Sequence, residues 1–132
     1  MRNILITGAS GGLAQEMVKL LPNDQLILLG RNKEKLAKLY GNHSHTELVE
    51  IDITDDQALE TLVADLYQCY GKIDVLINNA GYGIFEDFDQ ISNQDIHQMF
   101  EVNTFALMNL SRRLGARMKE RGKGHIINIV SM

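Results

Sequence analysis

The chain has 132 residues, 45% of them hydrophobic, and carries a net charge of −4. That length allows one domain with a core of its own, and the acidic balance, without a basic stripe, argues against a nucleic-acid or membrane-surface partner. A single cysteine, Cys69, leaves no internal disulfide, and no apolar run reaches membrane-spanning length, so a reducing, cytoplasmic location is expected. Cys69 itself reads as a small, buried or half-buried helix residue.

Short apolar runs alternate with longer amphipathic ones. Residues 2–7 predict a strand, followed by a turn with Gly8, Gly11 and Gly12 and a helix over 12–21. Residues 25–30 (QLILLG) form a continuous apolar run, as a buried parallel strand should. A short helix over 32–40 faces Leu36 and Leu39 inward, and 47–53 predicts a third strand. Thr54 is expected to cap the next helix, with Asp55 and Asp56 in its first turn, where negative charge suits the dipole. Residues 73–78 predict a fourth strand. A loop over 81–90 places Phe85 and Phe88 in solvent or over a cleft. Ser92 then caps one long helix running to about Arg121, with Ile96, Met99, Phe100, Asn103, Leu107, Leu110, Leu114 and Met118 on its apolar stripe. Asn103 is therefore expected as a buried amide that must find partners. Glycines break the helix at 122–124, and 125–131 predicts a fifth strand.

Strands alternating with helices imply a parallel sheet with right-handed crossovers and helices on both faces. Ligands in such sheets bind beyond the carboxyl ends of the strands. The unusual small or polar residues fall there: 8–12, Gly30 with Arg31, Asp52, 78–81 and Ser131. The strand–glycine turn–helix order at the N-terminus makes a phosphate cradle, because glycines let the backbone approach a pyrophosphate and the helix start offers unpaired N–H groups. The plainer alternative is an ordinary strand-to-helix turn.

Thr7-Gly8-Ala9-Ser10-Gly11-Gly12-Leu13-Ala14 resembles the TGxxxGxG turn of the short-chain dehydrogenase/reductase family, with Ala14 in place of the last glycine. Asn78-Asn79-Ala80-Gly81 matches that family's NNAG motif in full, and Val102-Asn103 resembles its helix asparagine. The resemblance implies a Rossmann-like, doubly wound sheet of about five strands in the order 3-2-1-4-5, with residues 1–132 a dinucleotide-binding domain that stops after the fifth strand. It implies cofactor binding by Gly8, Ser10, Gly11, Gly12, Leu13, Asp52, Ile53, Asn79, Ala80 and Gly81, with Asp52 on the adenine. It also implies catalytic roles for Asn103, which positions a water in a proton relay, and for Ser131, which bonds the substrate oxygen. A strand-end hydroxyl bonded to nearby backbone is the simpler reading of Ser131.

Cofactor choice turns on the end of the second strand. An acidic residue there holds the ribose 2′-OH of NAD, whereas a nearby arginine suits a 2′-phosphate. Here Gly30 takes the acidic position and Arg31 follows, so NADP(H) is preferred and NAD(H) is the alternative, with Asn32 and Lys33 as possible helpers. His43, His45, His97 and His125 form no metal-ligand pattern, and no metal is expected. The family's YxxxK pair lies beyond the serine, and none of Tyr40, Tyr67, Tyr70 and Tyr82 has a lysine four residues on. The resemblance implies an oxidoreductase acting on a small carbonyl or alcohol substrate, homo-oligomeric by family habit but inactive as these residues alone. A non-catalytic NADP(H)-binding module is the other reading, and an epimerase-like relative, which NNAG argues against, a weaker third.

Overall fold

A computed structural model describes residues 1–81 and 88–129. Five strands run in parallel: β1 (Asn3–Ile6), β2 (Gln25–Gly30), β3 (Thr46–Glu50), β4 (Val75–Asn78) and β5 (His125–Asn128), in the order β3-β2-β1-β4-β5. The expected strand order is therefore the observed one. The helices are α1 (Gly12–Lys19), α2 (Lys33–Tyr40), α3 (Asp56–Tyr70), α4 (Asn93–Phe100) and α5 (Ala106–Arg121).

Side chains on a strand alternate between faces, and two cores follow from that. Ile4 and Ile6 of β1, with Leu26, Leu28, Val75 and Ile77, pack under α1 and α2. Leu5, with Ile27, Leu29 and Leu76, packs on the opposite face under α3 and α5. Each fully buried leucine or isoleucine contributes about 1.5–3 kcal/mol relative to exposure. β1 lies at the centre of the sheet, and that is why its short run is apolar on both faces.

Caps fix where the helices start. Asn32 accepts from the Lys35 N–H on α2 and Ser92 from the Asp95 N–H on α4. The cap of α3 is Asp55, which accepts from the Ala58 N–H, and not Thr54. The Thr54 hydroxyl is engaged elsewhere, donating to Asp52. Cys69 is exposed near the end of α3 rather than buried.

The single long helix expected over 92–121 is two helices joined by a π-helical segment, Glu101–Phe105, in which the Ala106 N–H donates to the Glu101 carbonyl. One extra residue in a turn rotates everything after it by about 100°. The apolar stripe is consequently out of phase across the break. Leu110, Leu114 and Met118 are buried, while Ile96, Phe100 and Asn103 are exposed. Phe85 of the expected loop lies outside the described residues, and residues 88–90 form a 3-10 turn.

Candidate functional site

The carboxyl ends of β1 and β4 are fastened together by side-chain and main-chain hydrogen bonds. Thr7, fully buried just past β1, accepts at Oγ1 from the N–H groups of Asn79 and Ala80, each at 2.9 Å. Asn79 Nδ2 donates in turn to the Gly8 carbonyl at 3.2 Å. Asn79 thus ties the end of β4 to the glycine loop. Gly8 has φ +61°, and a Cβ there would lie 2.7 Å from the Ala80 Cα. Both its left-handed backbone and this backbone-to-backbone approach require glycine.

Gly11 and Gly12 have a different reason. A Cβ on Gly12 would meet nothing within 4 Å, and one on Gly11 only the Gly8 carbonyl at 3.5 Å. The protein itself does not demand these glycines. Their bareness keeps open the space in front of α1, whose N-cap, Gly11, offers no side-chain acceptor and whose first turn holds no acidic residue. α2, α3 and α4 each begin with a side-chain cap. An uncapped helix start behind bare backbone is suited to an anion.

Two depressions open on either side of this loop and share Ala80 and Gly81. The smaller, about 200 Å³, is lined by Gly8, Ser10, Arg31, Asp52 and Ile53. The larger, an open cleft of about 1040 Å³, is lined by Leu13, Asn79, Asn103, Ser111 and Asn128. The sites expected from the sequence therefore divide between two adjoining depressions, with Gly11 and Gly12 at the helix start between them. Ser131 lies outside the described residues.

At the small pocket, a Cβ on Gly30 would come within 3.1 Å of both Leu36 methyls, and Leu36 is fully buried. Packing of α2 thus crowds a side chain out of the position where an acid would stand. Asp52 Oδ1 accepts from the Thr54 hydroxyl at 2.7 Å and the Thr54 N–H at 3.0 Å. These bonds, with the nearby Arg31 charge, hold its carboxyl below the ordinary value. Glu50 Oε1 accepts from the Lys33 N–H at 2.9 Å at the start of α2.

At the large cleft, Gly81 has φ +155°, and a Cβ on it would lie 2.8 Å from Asn103 Oδ1. The last residue of the NNAG run and the helix asparagine are thus in contact, although Asn103 is exposed rather than buried as expected. The π segment is what puts it there. Asn78, fully buried, donates from Nδ2 to Ser111 Oγ at 2.9 Å and to Asn128 Oδ1 at 2.8 Å. This polar knot joins β4, α5 and β5 beneath the cleft. Ser111 and Asn128 were not picked out by motif, but asparagines at paired positions of two apolar strands, Asn78 and Asn128, were a usable signal.

Tyr40 was also missed as part of the site. It is buried at the end of α2, and its hydroxyl donates to the Ala9 carbonyl of the loop at 2.6 Å. Burial pushes its phenol up, so the group stays protonated and able to donate. Among the described residues no group of three His, Cys, Asp or Glu side chains is arranged to hold a metal. No helix among them is long and apolar enough to cross a membrane.

Residues 2–132 match the family model described as short chain dehydrogenase. The chain is 34% identical over 137 residues to the ketoacyl reductase HetN of Nostoc sp., covering 99% of this chain and 48% of that protein. It is 32% identical to a fatty acyl-CoA reductase of Mycobacterium tuberculosis, covering 98% and 47%. Among solved structures, a short-chain dehydrogenase of Streptomyces avermitilis superposes with a TM-score of 0.87 at 31% identity, covering 98% of this chain and 49% of that one. A closed serine dehydrogenase complexed with NADP+ gives 0.90 at 30% identity, covering 98% and 54%. The chain spans about half the length of the curated relatives it matches. With the full-length family match and the shared Rossmann-like sheet, the chain belongs to the short-chain dehydrogenase family of oxidoreductases.

Proposed function

We propose that residues 1–132 form the dinucleotide-binding domain of an NADP(H)-dependent oxidoreductase that interconverts a carbonyl and an alcohol. The observation that carries this reading is the pair of depressions meeting at Ala80 and Gly81, with the uncapped start of α1 between them. A dinucleotide has the same plan: two nucleoside halves joined by a pyrophosphate. Gly8, Ser10, Gly11, Gly12 and Leu13 take the pyrophosphate through backbone N–H groups and the helix dipole. Arg31 takes the ribose 2′-phosphate with paired guanidinium donors, and Asp52 and Ile53 border the adenine half.

The nicotinamide half lies toward the large cleft, beside Asn79, Ala80 and Gly81. The cofactor supplies the hydride chemistry when bound. Asn103 holds a water or a substrate oxygen at the rim of the cleft, and Ser131 bonds the substrate oxygen. No tyrosine within residues 1–132 is followed four residues on by a lysine, so these residues bind and position, and proton transfer to substrate is assigned to none of them. The NADP+ in the closed serine dehydrogenase, a relative at 30% identity, supports the choice of cofactor. So does the crowding of position 30 by Leu36, which leaves Arg31 as the first charged side chain after β2.

A cytoplasmic setting and a homo-oligomer complete the reading. Phe100, Phe105 and Met108, each more than half exposed on the α4–α5 side, offer apolar surface for the latter. The test is a thermal shift of the chain with each nucleotide. A larger rise with NADPH than with NADH is expected. No rise with either refutes nucleotide binding, and an equal rise refutes the preference.

A further inference from the structure

Ala9 is held from two sides. Its N–H donates to the Leu29 carbonyl of β2 at 2.9 Å. Its carbonyl accepts from the Tyr40 hydroxyl at 2.6 Å, across 31 residues of chain. Tyr40 is 3% exposed. Leu36, one turn earlier on the same face of α2, fills its place in that core with an aliphatic side chain alone. An aliphatic side chain at position 40 could fill core too, so the hydroxyl is the feature that needs a reason. A buried phenol needs an acceptor, and this one finds it in the loop in front of α1.

The orientation of that carbonyl has a consequence one atom further on. In a planar trans peptide the C=O and the following N–H point in opposite directions, and there is no cis peptide among the described residues. Holding the Ala9 carbonyl against α2 therefore turns the Ser10 N–H away from α2. Ser10, with Gly8 and Arg31, lines the small pocket. We propose that Tyr40 is a positioning residue for the glycine loop: its hydroxyl, bonded to the Ala9 carbonyl, aims the Ser10 N–H and so sets the affinity of the loop for a pyrophosphate. The same contact couples the loop to α2, the helix that follows Arg31. The two parts of the nucleotide surface are then held as one body. This inference rests on the dinucleotide reading above.

The substitution Tyr40→Phe keeps the ring and removes the donor. The probes are NADPH, which carries the pyrophosphate, and adenosine 2′-monophosphate, which offers Arg31 its phosphate but has no pyrophosphate. Both are titrated calorimetrically into the whole chain, well below the melting temperature of each variant. The expected result is an NADPH Kd raised about tenfold, the worth of one misaligned hydrogen bond to a charged group, with adenosine 2′-monophosphate bound as before. In the nucleotide-free chain, the 15N–1H signal of Ser10 is expected to move on substitution. Unchanged NADPH affinity overturns the proposal. Equal weakening of both probes also overturns it, because a merely structural role predicts that. If the unsubstituted chain binds neither NADPH nor NADH, the dinucleotide reading fails and the inference with it, a result seen before any variant is made.

Discussion

Gly12→Ala separates what the fold needs from what the ligand needs. Gly12 is the first residue of α1, its backbone is not left-handed, and an added Cβ meets nothing within 4 Å. A Gly→Ala change at a compatible position stabilises by about 0.4–1 kcal/mol, mainly by restricting the unfolded chain. For a domain of this size that raises Tm by about 1–4 °C. The methyl group, however, stands in the open space in front of the helix start, where the proposed function puts a pyrophosphate. Loss of one hydrogen bond to a charged group costs about 1.5–3 kcal/mol, roughly a tenfold to hundredfold loss of affinity. The assay is a pair of melting curves, without nucleotide and with NADPH. The variant should melt higher alone and gain less from NADPH. A lower melting temperature alone would mean that the glycine serves the fold. An undiminished NADPH shift would mean that the phosphate does not approach here.

Gly8→Ala should behave in the opposite way: left-handed strain of about 1–2 kcal/mol adds to crowding of about 1–3 kcal/mol against the Ala80 backbone. The urea midpoint should fall by about 1–2 M, and a fall of under 0.3 M would refute the close approach. Arg31→Ala should weaken NADPH by about tenfold to a hundredfold and leave NADH unchanged; an unaltered ratio in fluorescence titration would remove Arg31 from the site. The carboxyls of Asp24, Asp52 and Asp56 lie below their ordinary value of 3.8, held there first by hydrogen bonds from Arg2, Thr54 and Arg113 respectively. The folded chain therefore binds fewer protons than the unfolded chain below about pH 5. The stability these groups add is present above the unfolded pKa and is lost as pH falls through the folded values. Urea midpoints between pH 7 and pH 3 should show that decline, and Thr54→Val should lessen it; a flat profile would count against it.

The sheet was legible because its signals are local. Runs such as QLILLG are apolar on both faces only if helices cover both, and each glycine or asparagine cluster marks a strand end. The reasons for particular residues were less legible, because they are long-range. Nothing near Gly8 in sequence announces that the Ala80 backbone will press on it. Nothing in KEKLAKLY marks its last hydroxyl as a contact to the loop. The π segment hides in a stretch without glycine or proline, so a regular period predicts one straight helix and a buried Asn103. Thr54 is not the cap although its residue type is right, because α3 begins one residue later than expected and the Asp55 carboxylate accepts from the Ala58 N–H.

The central place of β1 also imposes an order of events in time. β1 is the first of these five strands to be synthesised, yet one of its two neighbours, β4, arrives far later, and the bond from the Asn3 N–H to Asp74 spans 71 residues. At ribosomal rates of about 5–20 residues per second, the first strand waits roughly 4–14 s for that neighbour. During this interval β1 can pair with β2 alone, and the face of Gly8 that later meets Ala80 stays bare. The glycine loop thus gains its contact with the Ala80 backbone only after β2, β3 and β4 have all been translated.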